Sequence, residues 1–435
     1  MTRLRVAIAT VGCRANQADS ASLARSLGAD GVEIVSSFVD ADVAVVNTCC
    51  VTAEAERDSR KAVRRALGAS PATRVVVTGC AVTALAGFGE GFGPRVRAIA
   101  GTDTDMTRVA ALVGALEGGR DRDAGQARGP VGRPLGRERA LLKVQTGCSH
   151  GCTYCVVPAA RGEERSMPLG EAVERAAALF GEGRPEVVLT GVQLGAWGCD
   201  LPGSPRLASL VAALADRAAP GRVRLSSIEP WSVDDALLDV VTGHDRVCPH
   251  LHLPLQSGSD RVLAAMGRTY DGRGFLGIVE RARARRADLA LGTDVLLGFP
   301  GEDGAAFADT LAVLKDAHPS YVHAFGFSPR PGTRACSMFG RPSRDEVRER
   351  VRETRLFGDH ARAAFFAAQG GAVREVAIEG RGASGPRGLT DNFIPVFLRG
   401  EEAAPGSLVR ARLGTAVVGG RLEAEPALRD TGLSR

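Results

Sequence analysis

Cys148, Cys152 and Cys155 form CxxxCxxC within TGCSHGCTYC. Three thiolates on so short a stretch can hold three irons of a four-iron cluster and leave the fourth iron open to oxygen or nitrogen donors. Structural zinc is the alternative. It wants four ligands and could recruit His150, although ligands at alternate residues are hard to close into a tetrahedron. A second triple is dispersed: Cys13, Cys49 and Cys80 each follow a short apolar run, LRVAIAT, VAVVN and RVVVT in turn. Taken singly, each is a packing cysteine more readily than a ligand. Cys50 should point away from Cys49, and the isolated Cys199, Cys248 and Cys336 fit packing roles. Ten cysteines without a secretory signal belong in a reducing compartment, where clustered thiols bind metal or do redox chemistry.

The elements that must position these thiols follow from periodicity. Runs 4–10, 43–47 and 74–78 have the pattern of buried strands, each followed by a turn and a helix-like stretch such as 53–67, which predicts a doubly wound α/β domain. In an open parallel sheet, ligands gather beyond the carboxyl ends of the strands, where Cys13, Cys49 and Cys80 would meet. Six further strand-like runs, 141–146, 186–191, 222–227, 250–255, 289–299 and 321–327, alternate with amphipathic helical patterns. They predict a partial parallel β/α barrel with CxxxCxxC after its first strand, at the end that carries the chemistry. Ser343 and Glu346 form a capping box that opens another helix. Short β-type runs from Val373 to Glu425 predict a small antiparallel β-barrel. The expected domains are 1–117, a flexible glycine- and arginine-rich linker at 118–139, the barrel with its last helix at 140–370, and the β-barrel at 371–435.

Length and composition agree, since 435 residues with 44% hydrophobic side chains suffice for about three cores. No apolar run reaches the ~18 residues of a membrane span, and a cytoplasmic location is expected. The net charge is +5, and among the 55 basic residues only Lys61, Lys143 and Lys315 are not arginine. That bias reflects codon preference as readily as phosphate binding. Gly380, Gly382 and Gly385 spell GxGxxG, but Pro386 follows and no helix opens, which rejects dinucleotide binding. None of the lysines sits in a phosphate loop. His252 and His323 lie on strands and suit packed or hydrogen-bonded roles better than ligation.

Longer segments carry a resemblance. VGCRANQADS (11–20), NTCCVTAEAE (47–56), TGCAV (78–82), VQTGCSHGCTYCVVPAARGEERS (144–166), LTGVQLGAWGCD (189–200), LHLPLQSGSDRVLAAMGRTY (251–270) and TDVLLGFPGE (293–302) resemble the radical S-adenosylmethionine methylthiotransferases. GLTDNFIPV (388–396) is similar to that family's terminal RNA-binding module, called TRAM. The resemblance implies two [4Fe–4S] clusters. One, on Cys148, Cys152 and Cys155, would chelate S-adenosyl-L-methionine and yield a 5′-deoxyadenosyl radical. The other, on Cys13, Cys49 and Cys80, would carry the sulfur to be inserted, methylated by a second S-adenosylmethionine. Thr190, Ser226, Gln256, Ser257, Gly258 and Gly298, at strand ends, and Asp294, within its strand, are the candidate cofactor contacts. Tyr154 could lie against adenine or shield the cluster.

The implied partners are a tRNA anticodon stem-loop and an electron donor such as flavodoxin or ferredoxin, with no membrane. RVRLSSIEP (222–230) resembles the branch that modifies carbon 2 of N6-threonylcarbamoyladenosine at position 37. The other branches take isopentenylated adenosine in tRNA or a ribosomal-protein aspartate. Glu229 is a candidate for substrate recognition, but its carboxylate would repel an anionic threonyl group unless an arginine intervened. Residues 371–435 hold nine arginines against eight acidic residues, so bulk electrostatics there add little to RNA binding. Arg281–Arg286 and the helix after Ser343 are further candidates for RNA contact and equally suit solvated faces.

Overall fold

Valine-rich runs bounded by glycine turns become the strands of the first domain. The computed structural model describes residues 3–100, 103–115, 138–383, 385–400 and 402–427. Strands β1 (Arg5–Thr10), β2 (Glu33–Val35), β3 (Val43–Thr48), β4 (Arg74–Gly79) and β5 (Val96–Ala98) form one parallel sheet in the order β2-β1-β3-β4-β5. The order reverses between β1 and β3, the switch point at which open α/β sheets bind ligands. Cys13 follows β1, Cys49 follows β3, and Cys80 opens the helix Cys80–Ala84 after β4. All three therefore lie at the carboxyl edge around that switch point.

The central body is an open parallel arc. Strands β6 (Ala140–Lys143), β9 (Glu186–Thr190) and β10 (Arg222–Leu225) form one three-stranded sheet, and β11 (His250–His252), β12 (Ala290–Leu297) and β13 (Tyr321–Gly326) form another. The Ser227–His252 bridge joins them. Between β6 and β9, the short strands β7 (Gln145–Thr146) and β8 (Arg165–Ser166) frame the CxxxCxxC loop. The run at 250–255 is strand only to His252, because Pro254 has no N–H to give the ladder. Alternation sends Val187, Leu189, Val223, Leu225, Leu251 and Val295 outward into one core with the surrounding helices. It turns Glu186, Thr190, Arg222, Arg224, His250, His252 and Asp294 inward, so the lumen is polar.

Strands β14 (Val373–Gly382), β15 (Gly385–Thr390), β16 (Pro395–Leu398), β17 (Leu408–Val418) and β18 (Arg421–Pro426) close into a barrel in the order β14-β15-β16-β18-β17. The antiparallel expectation needs one correction: β16 and β18 pair in parallel, since β17 intervenes in sequence and returns the chain in the same direction. The helix Arg344–Ala368 before it carries the expected capping box at Ser343 and Glu346. Most of the expected linker lies outside the described residues. Its last two residues are not linker-like, since Glu138 is buried and Arg139 pairs with Glu186 and Glu379. Among the described residues, no helix is long and apolar enough to cross a membrane.

The terminal barrel docks on the floor of the central arc through one buried carboxylate. Glu186 receives Arg222 Nε at 2.9 Å and Arg224 Nε at 2.7 Å. The remaining guanidinium N–H groups donate to backbone carbonyls of Glu375, Leu389, Thr390 and Asp391. Burial alone would raise the Glu186 pKa, but Arg224 and Arg222 hold it well below the ordinary carboxylate range. Its stabilisation is therefore in place at neutral pH and is lost only as pH falls below that range. Replacing Glu186 with Gln leaves two buried guanidiniums without their anion and should cost about 3–5 kcal/mol. Denaturant unfolding at pH 7 should show the loss, and limited proteolysis should release the terminal barrel first.

Candidate active site

Gly147 lets the CxxxCxxC loop leave β7. Its φ is +79°, and a Cβ there would lie 1.7 Å from the Glu163 carbonyl oxygen. The loop is then pinned by backbone bonds, Cys148 N to Gly162 O at 2.9 Å and Thr153 N to Met266 O at 2.9 Å. Arg268 lies against it with Nη1 3.4 Å from Cys152 Sγ. Its guanidinium also pairs with Glu229 and lies over the rings of Trp231 (4.7 Å) and Tyr270 (5.2 Å). Burial keeps the Glu229 pKa raised in spite of Arg268. His150 stacks on Trp231 at 4.2 Å with Nε2 at the Gly267 carbonyl, and among the described residues it joins no group of metal-ligating atoms within 4.8 Å of the cysteines. Tyr154 packs edge-on against Phe299, a shielding position beside the loop.

The second triple meets the first through the five-residue helix Val157–Arg161 that follows Cys155. Val156 and Ala160 share a core with Cys50, Cys80 and Ala81 of the first domain. Arg161 continues the contact: Nε lies 3.4 Å from Cys80 Sγ, Nη1 lies 3.0 Å from Asp19 Oδ2, and Nη2 donates to Asn16 Oδ1. Lys143 also pairs with Asp19. Gly79, at φ +93°, has no room for a Cβ beside Asn47 Oδ1, and its turn delivers Cys80 to this point.

Burial pushes the Cys49 thiol up to about 11 and the Cys155 thiol up to about 12. Such groups become thiolates when a cation binds them. Among the described residues neither cysteine triple closes to within 4.8 Å, the compass of a single ion's ligands.

The candidate cofactor residues divide. Thr190 and Ser226 are buried at the ends of β9 and β10. Gln256 is buried in a left-handed conformation, and its Oε1 has no partner, as do Gln193 Oε1 and Thr146 Oγ1. Unpaired buried acceptors are costly unless a ligand brings donors, and ammonium and ribose hydroxyls would suit these. Ser257 instead faces Thr310, and Gly258 donates its N–H to Thr310 Oγ1 with no space for a Cβ. Gly298 owes its identity to Val347, which a Cβ would meet at 2.4 Å. Asp294 does point inward, but its carboxylate is held by His252 and His323. Cys248 is buried and donates to Glu186, Cys336 is half-buried, and Cys199 is exposed rather than packed. Arg268 and Gln193 went unpredicted; the only local sign of Arg268 is its place in MGRTY, two residues before Tyr270.

Comparison with known proteins accords with this geometry. Residues 5–88 match the family described as Uncharacterized protein family UPF0004, and residues 142–314 match the Radical SAM superfamily. The threonylcarbamoyladenosine tRNA methylthiotransferase MtaB of Rickettsia prowazekii is 32% identical over 94% of this chain and 95% of its own. The tRNA-2-methylthio-N(6)-dimethylallyladenosine synthase of Erythrobacter litoralis is 33% identical over 86% of each. A radical S-adenosylmethionine methyltransferase from Kitasatospora setae, TsrM, shares the fold with a TM-score of 0.56 at 15% identity, over 77% of each chain. With relatives above 30% identity along nearly its whole length, the chain belongs to the radical S-adenosylmethionine tRNA methylthiotransferases, the family of the MtaB and dimethylallyladenosine-modifying enzymes.

Proposed function

We propose that the protein inserts a methylthio group at carbon 2 of N6-threonylcarbamoyladenosine at position 37, in the anticodon stem-loop of tRNA. Cys148, Cys152 and Cys155 would hold one [4Fe–4S] cluster, and Cys13, Cys49 and Cys80 the other. The observation that supports this reading is the Arg161 bridge, which ties the helix following Cys155 to Cys80 and Asp19 of the first domain. The chemistry such clusters supply is reductive cleavage of S-adenosylmethionine at one and delivery of sulfur at the other.

The chain's own residues bind and orient. Thr190, Ser226 and Gln256 would contact S-adenosylmethionine, with Ser257, Gly258 and Gly298 shaping the adjoining turns. Arg161 and Arg268 place a permanent positive charge on Cys80 and Cys152, which favours the thiolate forms that iron requires. The threonylcarbamoyl branch is supported by SSIEP at 226–230. Arg268 also supports it, since its pairing with Glu229 removes the repulsion that an unpaired carboxylate there would exert on an anionic substituent.

Enzyme reconstituted without oxygen, given S-adenosylmethionine, a reductant and tRNA, separates these roles by mass spectrometry. Cys152→Ala should abolish 5′-deoxyadenosine, whereas Cys49→Ala should retain it and lose the methylthio nucleoside. A methylthio product from the Cys49 variant would overturn the sulfur-delivery role. Arg161→Gln should retain 5′-deoxyadenosine but lower product by about 100-fold, as expected for reacting groups displaced by ~1 Å. Product formed on isopentenylated tRNA alone would move the enzyme to the other tRNA branch.

A further inference from the structure

Away from both cysteine triples, three adjacent strands bring ligating side chains to one point on the inner wall of the barrel. His252 on β11, Asp294 on β12 and His323 on β13 each offer one donor atom, and all three atoms lie within 4.8 Å of one another. The register makes this unavoidable. Asp294 pairs with His323 across the ladder, and Gly292 pairs with both His252 and Tyr321, so strand alternation turns all of these residues to the same face. His252 Nε2 and His323 Nδ1 approach the same oxygen, Asp294 Oδ1, at 3.0 and 3.1 Å.

A second layer orients the first. The other ring nitrogen of His252, Nδ1, lies 3.0 Å from the Tyr321 hydroxyl, which in turn lies 2.8 Å from His250 Nε2. Tyr321 can lie there only because residue 292 is glycine, since a Cβ would fall 2.1 Å from its ring. His250 is fully buried and stacked on Phe393 at 4.4 Å, which fixes the chain from below. A histidine whose outer nitrogen is held by a buried hydrogen-bond partner is the arrangement seen at metal-ligating histidines. The side chain of His252 is 6% exposed and that of Asp294 21%, whereas that of His323 is 60% exposed, so the group opens on one side. The Ser227–His252 bridge sets the group beside the turn that carries Glu229.

We propose that His252, Asp294 and His323 form a binding site for one divalent transition-metal ion of the zinc class, separate from the two cysteine triples. Two imidazoles and a carboxylate are a suitable donor set, and three protein ligands leave a coordination position open. An oxygen ligand would suit that position. Given the substrate proposed above, the carboxylate of the threonyl group is a ligand of the right charge and chemistry, and this last assignment rests on that reading.

The test uses cluster-reconstituted full-length enzyme dialysed against zinc sulfate, with zinc and iron counted and zinc-edge X-ray absorption recorded. Wild type should hold one zinc with nitrogen and oxygen ligands that His323→Gln and Asp294→Asn both lose, with iron content unchanged. His323 is exposed enough that its replacement leaves the fold intact, and retained iron verifies this. Equal zinc in wild type and both variants, no zinc in wild type, or a sulfur-only ligand signature would overturn the site. Failure here would leave the methylthio product of wild-type enzyme untouched, whereas failure of the substrate reading would appear in the nucleoside analysis alone.

Discussion

The guanidinium of Arg161 leaves the barrel loop and closes on Cys80, Asn16 and Asp19 of the first domain. Burying a guanidinium costs several kcal/mol unless its charge is met; here the Asp19 carboxylate meets the charge, while the Cys80 sulfur and the Asn16 amide oxygen accept from Nε and Nη2. The consequence is geometric. Arg161 ends the short helix that follows Cys155, so the loop carrying one cysteine triple cannot shift without dragging on a cysteine of the other. Asp19 is shared with Lys143 at the end of β6, which ties the same point to the barrel wall. The Arg330–Glu56 pair at 2.5 Å adds a second clamp between the first domain and the barrel.

A comparable constraint operates at the opposite end. Glu186 is one anion among Arg139, Arg222 and Arg224, and the surplus positive charge is met by carbonyl oxygens of the terminal barrel. That barrel is therefore part of the floor of the central arc rather than a tethered appendage. Its nearly balanced charge is explained by the same contacts. Glu379 pairs with Arg139, Arg374 with Asp288, and Glu375 lies near Arg222, so several of its charged groups are spent on docking. Counting charges along the sequence treats those docked groups as free surface.

The strands and the cysteines were legible because their signals are local. A valine run, a glycine turn and a following cysteine mark a strand end without knowledge of anything distant, and the capping box at Ser343 and Glu346 marks its helix in the same way. Partners across the barrel leave no such trace. Alternation indicates that Asp294 and His252 point inward or outward together with their strands, but not that His323 lies opposite them. The pairing of Arg268 with Glu229 joins a turn after one helix to a strand end in another β/α unit. The parallel contact between β16 and β18 is hidden for a related reason: turn residues report where a chain reverses, not which strand it returns beside.

The two ends of the mouth share one electrostatic solution. Each cysteine triple has a guanidinium at 3.4 Å from one sulfur, and each guanidinium is itself paired with a carboxylate, Asp19 for Arg161 and Glu229 for Arg268. Arginine suits this place because it stays protonated when buried, and its planar fork can face a carboxylate and a sulfur at once. A lysine would shift its pKa downward and could lose the charge. The carboxylate keeps each pair close to neutral, so neither guanidinium is stranded when the thiols are protonated. When the thiols become thiolates, the N–H already directed at the sulfur becomes a charge-assisted bond without rearrangement. Sites that must hold negative sulfur in a buried chamber are in this way prepared before any ligand arrives, which is the condition for electrostatic preorganisation.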